Sequence, residues 1–188
     1  MRRTAAVLAV LLGALASGSH AAPVPSLAED QARAAFNLYL QGCATRVGEA
    51  EAQRRWAREG ALKPVQSPER FLRGRPGQAF IGPAAYGLFV LVSFDDGSCQ
   101  VWAQRAGLEK LASSLDRLAR GPARPGADVG ANIVRDFDRT GPGELGATTR
   151  ALGYSLGAAA HVIALRLVGT SAAEAEFQAI LSASETKK

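Results

Sequence analysis

A β-hairpin constrains the fold of this sequence more than any other segment. Residues 88–94 (Leu-Phe-Val-Leu-Val-Ser-Phe) are apolar almost throughout, Asp95-Asp-Gly-Ser98 follows as a turn, and Cys99-Gln-Val-Trp-Ala-Gln104 continues as a second strand. An Asp-Gly pair between two apolar runs is a strong short-range signal for a hairpin. The chain is therefore expected to contain an antiparallel sheet.

Helical patterns lie on both sides of this hairpin. Ser26 is followed three residues later by Glu29, which is a capping-box arrangement, and the apolar spacing after it predicts a helix over about 27–46. Leucines spaced by three and four residues predict an amphipathic helix over 107–120. Two shorter helical segments are predicted at about 49–59 and as a single turn after Ser67-Pro68.

The last third of the chain has weaker patterns. Residues 133–139 read as a strand, Gly141-Pro-Gly143 as a turn, and residues 177–183 alternate as a final strand, whereas the pattern leaves strand and helix open for much of 156–185. The resulting order is two helices, a hairpin, a helix and an antiparallel meander of three or four strands. We therefore expect a two-layer α+β domain, with the ββ-α-βββ order of PAS-like and profilin-like sheets as one arrangement.

The N-terminus has the features of an export signal. Arg2 and Arg3 precede twelve apolar residues at 5–16, and Ser19-His-Ala21 places small residues at the −3 and −1 positions of a cleavage site. Twelve apolar residues are too few to span a bilayer. We therefore predict a Sec-type signal peptide over residues 1–21, cleaved after about Ala21, and a single domain over 22–188 in the periplasm or secreted, without a transmembrane span.

Cys43 and Cys99 are the two cysteines of the chain. In an exported protein an even pair predicts a disulfide, and one histidine in the mature chain leaves too few ligands for a zinc site. A reactive thiol pair is the alternative, although the C-x-x-C spacing of redox motifs is absent from the sequence. No metal or other cofactor is expected.

The basic residues argue only weakly for a polyanionic partner. Removing residues 1–21 takes away Arg2 and Arg3 but no acidic residue, so the formal charge falls from +5 to +3. This modest charge and the export signal argue against nucleic acid as a partner. Arg70, Arg73 and Arg75 nevertheless form a cluster, which is either a solvated face or a binding patch for lipid headgroups, polysaccharide or an acidic protein surface.

Gly153-Tyr-Ser-Leu-Gly157 matches the G-x-S-x-G nucleophile elbow of α/β-hydrolases. The serine of such an elbow needs a histidine base, which normally lies on a late loop well separated from it. His161 is the single candidate in the mature chain and follows Ser155 by six residues. We therefore expect no catalytic residues here, and a small serine hydrolase that uses Ser155 remains the less favoured alternative.

Several short motifs together resemble a group of small exported proteobacterial proteins of uncharacterised function. The likeness rests on an early helix with Cys43, the loop Phe71-Leu-Arg-Gly-Arg-Pro-Gly77, the hairpin motif Asp96-Gly-Ser-Cys99-Gln-Val and the tail Phe177-Gln-Ala-Ile-Leu-Ser. This resemblance implies a cysteine-bridged periplasmic domain and carries over no catalytic residues.

The sequence favours a non-enzymatic function. We expect an accessory or binding protein of the periplasm, whose partner is an unknown envelope protein or a small ligand. A sensor or carrier domain with a small-ligand pocket is the first alternative, and the serine hydrolase is the second.

Overall fold

The computed structural model describes residues 26–82, 87–121, 132–143, 145–158 and 161–187. The predicted signal peptide and its cleavage site lie outside these residues. The described helices are α1 (Leu27–Gly42), α2 (Ala50–Glu59), α3 (Glu69–Leu72) and α4 (Leu108–Arg120). The described strands are β1 (Lys63–Pro64), β2 (Gly77–Ile81), β3 (Phe89–Phe94), β4 (Cys99–Ala103), β5 (Asn132–Gly143), β6 (Gly146–Ala158), β7 (His161–Thr170) and β8 (Ala179–Lys187).

The strands form one antiparallel sheet in the order β1-β2-β3-β4-β8-β7-β6-β5. The predicted hairpin is confirmed as β3 and β4, in which Ser93 pairs with Cys99 across the Asp-Gly turn. After α4 the meander has four strands, and its last strand returns to pair with β4. Helices pack on this sheet, so the predicted α+β class is also confirmed. Strands β1 and β2 lie beside β3, at the end of the sheet opposite β5.

The larger hydrophobic core lies between the sheet and helices α1, α2 and α4. The capping box that starts α1 is formed, because the Ser26 hydroxyl accepts from the Glu29 backbone and the Glu29 carboxylate accepts from the Ser26 backbone. Leu111 and Leu115 of α4 are fully buried, as their spacing predicts. Tyr39 of α1 donates a hydrogen bond of 3.0 Å to the Ser182 carbonyl and so anchors this helix to β8.

A smaller apolar cluster lies on the opposite face of the sheet, where α3 and the segment before β8 pack. Alternation along β3 and β4 explains both clusters, because successive side chains of a strand point to opposite faces. Leu91 and Val101 belong to the larger core, whereas Val90 and Trp102 belong to the smaller one. Both faces of the central hairpin are therefore buried, which accounts for its continuous apolar sequence.

The structure resolves the open assignments of the C-terminal third and shifts two boundaries. Residues 156–185, where the sequence left strand and helix open, contain the end of β6, all of β7 and most of β8. The expected turn at residues 141–143 is the irregular end of β5. Helix α1 ends at Gly42, before the predicted residue 46, because the backbone of Cys43 leaves the helical conformation and a short 3₁₀ turn follows at Ala44–Arg46.

None of the helices in the described part of the chain has the length and apolar character that crossing a bilayer requires.

Candidate functional site

Cys43 and Cys99 form the predicted disulfide, with their Cα atoms 5.6 Å apart. Both residues are fully buried, at the end of α1 and the first position of β4. The bridge therefore joins the first helix to the central hairpin. Among the described residues, moreover, no group of three or more histidine, cysteine, aspartate or glutamate side chains could hold a metal ion.

The G-x-S-x-G motif lies within strand β6, where Ser155 pairs with Ala164 of β7. A nucleophile elbow is a sharp turn from a strand into a helix, and this extended segment provides no such turn. The Ser155 hydroxyl donates a 2.7 Å hydrogen bond to the Asp136 carboxylate. The backbone of His161 pairs with Ala158 at the far end of this ladder, about 10 Å along the strand from Ser155. The motif therefore lacks the structural context of a hydrolase.

The predicted arginine cluster lies on the loop after α3, which turns back over the sheet. Arg73 ends α3 with φ of +50°, and Gly74 follows with φ of +76°. These two left-handed positions reverse the chain direction, and β2 starts at Gly77. A positive φ angle costs conformational free energy at Arg73, which has a Cβ atom, but not at Gly74, which has none. Contacts of the arginine side chains with aromatic rings therefore matter for holding the loop.

The guanidinium groups of all three arginines lie over aromatic rings. Arg70 is 4.5 Å from the ring centroid of Phe71. Arg73 is 4.7 Å from the ring of Trp102, and Arg75 is 3.7 Å from that of Phe94. A cation–π contact of this kind restricts the position of a guanidinium at the protein surface.

Three aromatic side chains form the base of this patch. Phe71, Trp102 and Phe177 pack edge to face, with ring centroids 5.5 to 5.6 Å apart in each pair. All three are buried. Their positions in α3, in β4 and just before β8 make the cluster non-local, so the sequence predicted the arginines and missed their shared aromatic support. The predicted alternation through 177–183 puts Phe177 on the same face as Leu181, and this was wrong. Phe177 precedes β8 and packs in the smaller cluster, whereas Leu181 belongs to the larger core.

Arg70 and Arg75 also form ion pairs with exposed carboxylates. Arg70 lies 2.5 Å from Glu176, and Arg75 lies 2.8 Å from Asp96. Partial burial raises the pKa of Asp96, but hydrogen bonds from the Ser98 side chain and backbone and from Arg75 outweigh it, so the pKa lies below its ordinary value. The predicted turn residue Asp96 therefore joins the hairpin turn to the arginine loop.

The arginine loop borders a polar region of the same sheet face, which the sequence did not predict. One row of paired residues crosses five strands there, with Arg166 opposite Gly153 on one side and opposite Ser182 on the other. The remaining members of this row are Phe137 of β5, beside Gly153, and Gln100 of β4, beside Ser182. Only the strand register brings these residues together.

The absence of a side chain at Gly153 makes room for the ring of Phe137. A Cβ atom at Gly153 would come within 2.7 Å of the Phe137 ring. The guanidinium groups of Arg139 and Arg166 lie 5.5 and 5.9 Å from the centroid of that ring. Among the described residues, five arginines on this sheet face therefore contact aromatic rings, in two groups separated by small polar side chains. The five are Arg70, Arg73, Arg75, Arg139 and Arg166.

No protein family, curated protein or solved structure matches this chain.

Proposed function

We propose that this chain is an exported, non-enzymatic binding protein of the Gram-negative periplasm that recognises an anionic envelope partner with its arginine-bearing sheet face. The sequence signal of residues 1–21 and the resemblance to small exported proteobacterial proteins support export to that compartment. The buried disulfide fits an oxidising compartment.

The observation that carries the proposal is the stacking of arginines on aromatic rings. Arg73 lies 4.7 Å from the ring centroid of the buried Trp102, which restricts the position of its guanidinium. A preorganised arginine loses less side-chain entropy on binding than a mobile one, because its conformation is already restricted. Arginines and aromatic residues are also the types that dominate binding energy in protein interfaces.

The test is retention of a partner from envelope extract by tagged mature protein. We expect one near-stoichiometric partner that is lost in the double variant Arg73→Gln and Arg75→Gln and at raised salt, because exposed charge contacts are screened. The matched control is Arg55→Gln with Arg58→Gln, which removes the same charge from the exposed side of α2. Thermal melts of both variants establish that they are folded.

Equal retention by the wild type and the Arg73–Arg75 variant would overturn the proposal. Loss of the partner in both double variants would overturn it as well, because net charge rather than this face would then decide binding.

A small-ligand carrier is a second candidate, because a cavity of about 320 Å³ opens on the same face between Arg75 and Arg166. This volume is at the lower end of the range for small-molecule sites. A ligand that stays with the native protein through purification, identified by mass spectrometry, would support this candidate. Its absence from protein that still retains the macromolecular partner would eliminate it.

A further inference from the structure

The polar cavity beside the arginine loop has the donor set of an anion site. Its floor consists of Gln100, Ser182 and Ser184 on the adjacent strands β4 and β8, and Arg75 and Arg166 line its sides. Ser182 is opposite both Arg166 and Gln100 in the sheet, so these three residues lie within two strand spacings, or about 10 Å.

The hydrogen-bond donors of this cavity have unused capacity. The Gln100 side-chain oxygen accepts from Trp102, which orients the amide and leaves its NH₂ group as the free end. Among the residues that the structure describes, no hydrogen-bond partner is found for the hydroxyls of Ser182 and Ser184. Nor does the exposed Arg166 guanidinium form an ion pair with any described carboxylate.

The carboxylates at the edge of the cavity are already engaged. Asp96 accepts hydrogen bonds from Arg75 and from the Ser98 backbone and hydroxyl. Glu185, which also lines the cavity, has a partner of its own. Unused donors therefore outnumber unused acceptors, which favours an oxygen-rich anion as the ligand.

From this donor set we infer that the cavity binds the phosphate group of a small phosphorylated ligand or lipid headgroup, with the Arg166 guanidinium as its main charge partner. A phosphate monoester has three strong acceptor oxygens, which suit an arginine fork together with amide and hydroxyl donors from different strands. A carboxylate has only two oxygens and leaves part of this set unused. The inference rests on the proposed function, since it names the ligand chemistry of the same face.

The test is an NMR titration of ¹⁵N-labelled mature protein with inorganic phosphate, with sodium chloride used to hold ionic strength constant. We expect saturable shifts at the amides of Gln100, Ser182 and Ser184. In Arg166→Gln the affinity should fall about tenfold or more, because a charge-assisted hydrogen bond is lost. Arg139→Gln is the matched control, since Arg139 also stacks on Phe137 but does not line this cavity.

Three outcomes would overturn the inference: no saturable shift with phosphate, equal affinity losses in the two arginine variants, or tighter binding of glucuronate than of phosphate. Two further arms separate the sources of the group. Binding of a sugar phosphate assigns a soluble ligand. Sedimentation with vesicles that contain phosphatidic acid, a phosphate monoester, but not with phosphatidylcholine vesicles, lost in Arg166→Gln, assigns a headgroup.

The phosphate titration needs no envelope partner, so its result is independent of the capture experiment. Phosphate binding without a captured partner would leave this inference standing and remove the macromolecular function. Capture of a partner without phosphate binding would remove the phosphate site and leave the macromolecular function standing.

Discussion

The packing of the hairpin turn against the start of α2 predicts very different effects for two similar glycine substitutions. Gly97 in the turn and Gly74 in the arginine loop have φ of +79° and +76°. A Cβ atom at Gly97 would lie 2.5 Å from the backbone carbon of Gly48, whereas a Cβ atom at Gly74 has nothing within 4 Å. Comparing Gly97→Ala with Gly74→Ala therefore separates steric overlap from backbone strain.

The expected magnitudes follow from these contacts. Left-handed backbone costs an alanine about 1–2 kcal/mol, and the stiffer unfolded chain returns about 0.4–1 kcal/mol. Gly74→Ala should therefore destabilise the fold by about 1 kcal/mol. At Gly97 the overlap also separates its carbonyl from two donors, the Gly48 amide at 2.9 Å and the buried Gln53 side chain at 2.8 Å. Each hydrogen bond contributes about 0.5–1.5 kcal/mol, so Gly97→Ala should cost about 3 kcal/mol or more.

The assay is urea unfolding of both variants and the wild type with the disulfide intact. The slope of the free energy of unfolding against urea should be unchanged, and the midpoint of Gly97→Ala should fall by about 1 M or more relative to Gly74→Ala. A difference below about 0.5 kcal/mol between the two variants would refute this reasoning. It would show that the turn and the segment before α2 can move apart without loss.

Three further predictions concern the disulfide, the hairpin turn and the serine motif. Reduction should destabilise the fold by about 4 kcal/mol and lower Tm by roughly 10 °C, because the bridge spans 56 residues; an unchanged melt of fully reduced protein would contradict this. Asp96→Asn should cost below about 1 kcal/mol at pH 7, since its pair with Arg75 is exposed. Folding lowers the pKa of Asp96 from 3.8, so the stability difference between the wild type and Asp96→Asn should persist above pH 3.8 and vanish as the pH falls through the pKa of the folded state. A constant difference in urea melts from pH 7 to 2.5 would show that Asp96 acts without its charge. Fluorophosphonate probes should not label Ser155 in folded protein, because its hydroxyl donates to Asp136 in an extended strand; labelling that disappears in Ser155→Ala would establish a nucleophile.

Much of the fold could be predicted from the sequence because its signals are local. The Asp-Gly turn, the capping box at Ser26 and the leucine spacing of α4 each depend on residues within a few positions of one another. The disulfide followed from the number of cysteines and the export signal. By contrast, residues 156–185 were ambiguous, since small residues such as Gly157 and Ala164 carry little periodic signal.

The candidate site could be predicted only in part. The arginines of the loop stand out in the sequence, but their aromatic supports do not, since Trp102 and Phe177 lie 75 residues apart. Nothing local marks Arg166 as a neighbour of Gln100. Their proximity depends on β8 inserting between β4 and β7, an arrangement of the whole sheet.

The amino-acid sequence by itself therefore determined the hairpin, the helices and the disulfide. Tertiary structure alone decided which side chains share the exposed face, because strand register sets which distant residues become neighbours and shifting it by one residue exchanges the two faces. Here the register is held by apolar residues on the helix side of the sheet. Leu165 pairs with Ala183 and Leu181 pairs with Leu167, and all four belong to the larger core. Burial of one face thus positions the polar residues of the other.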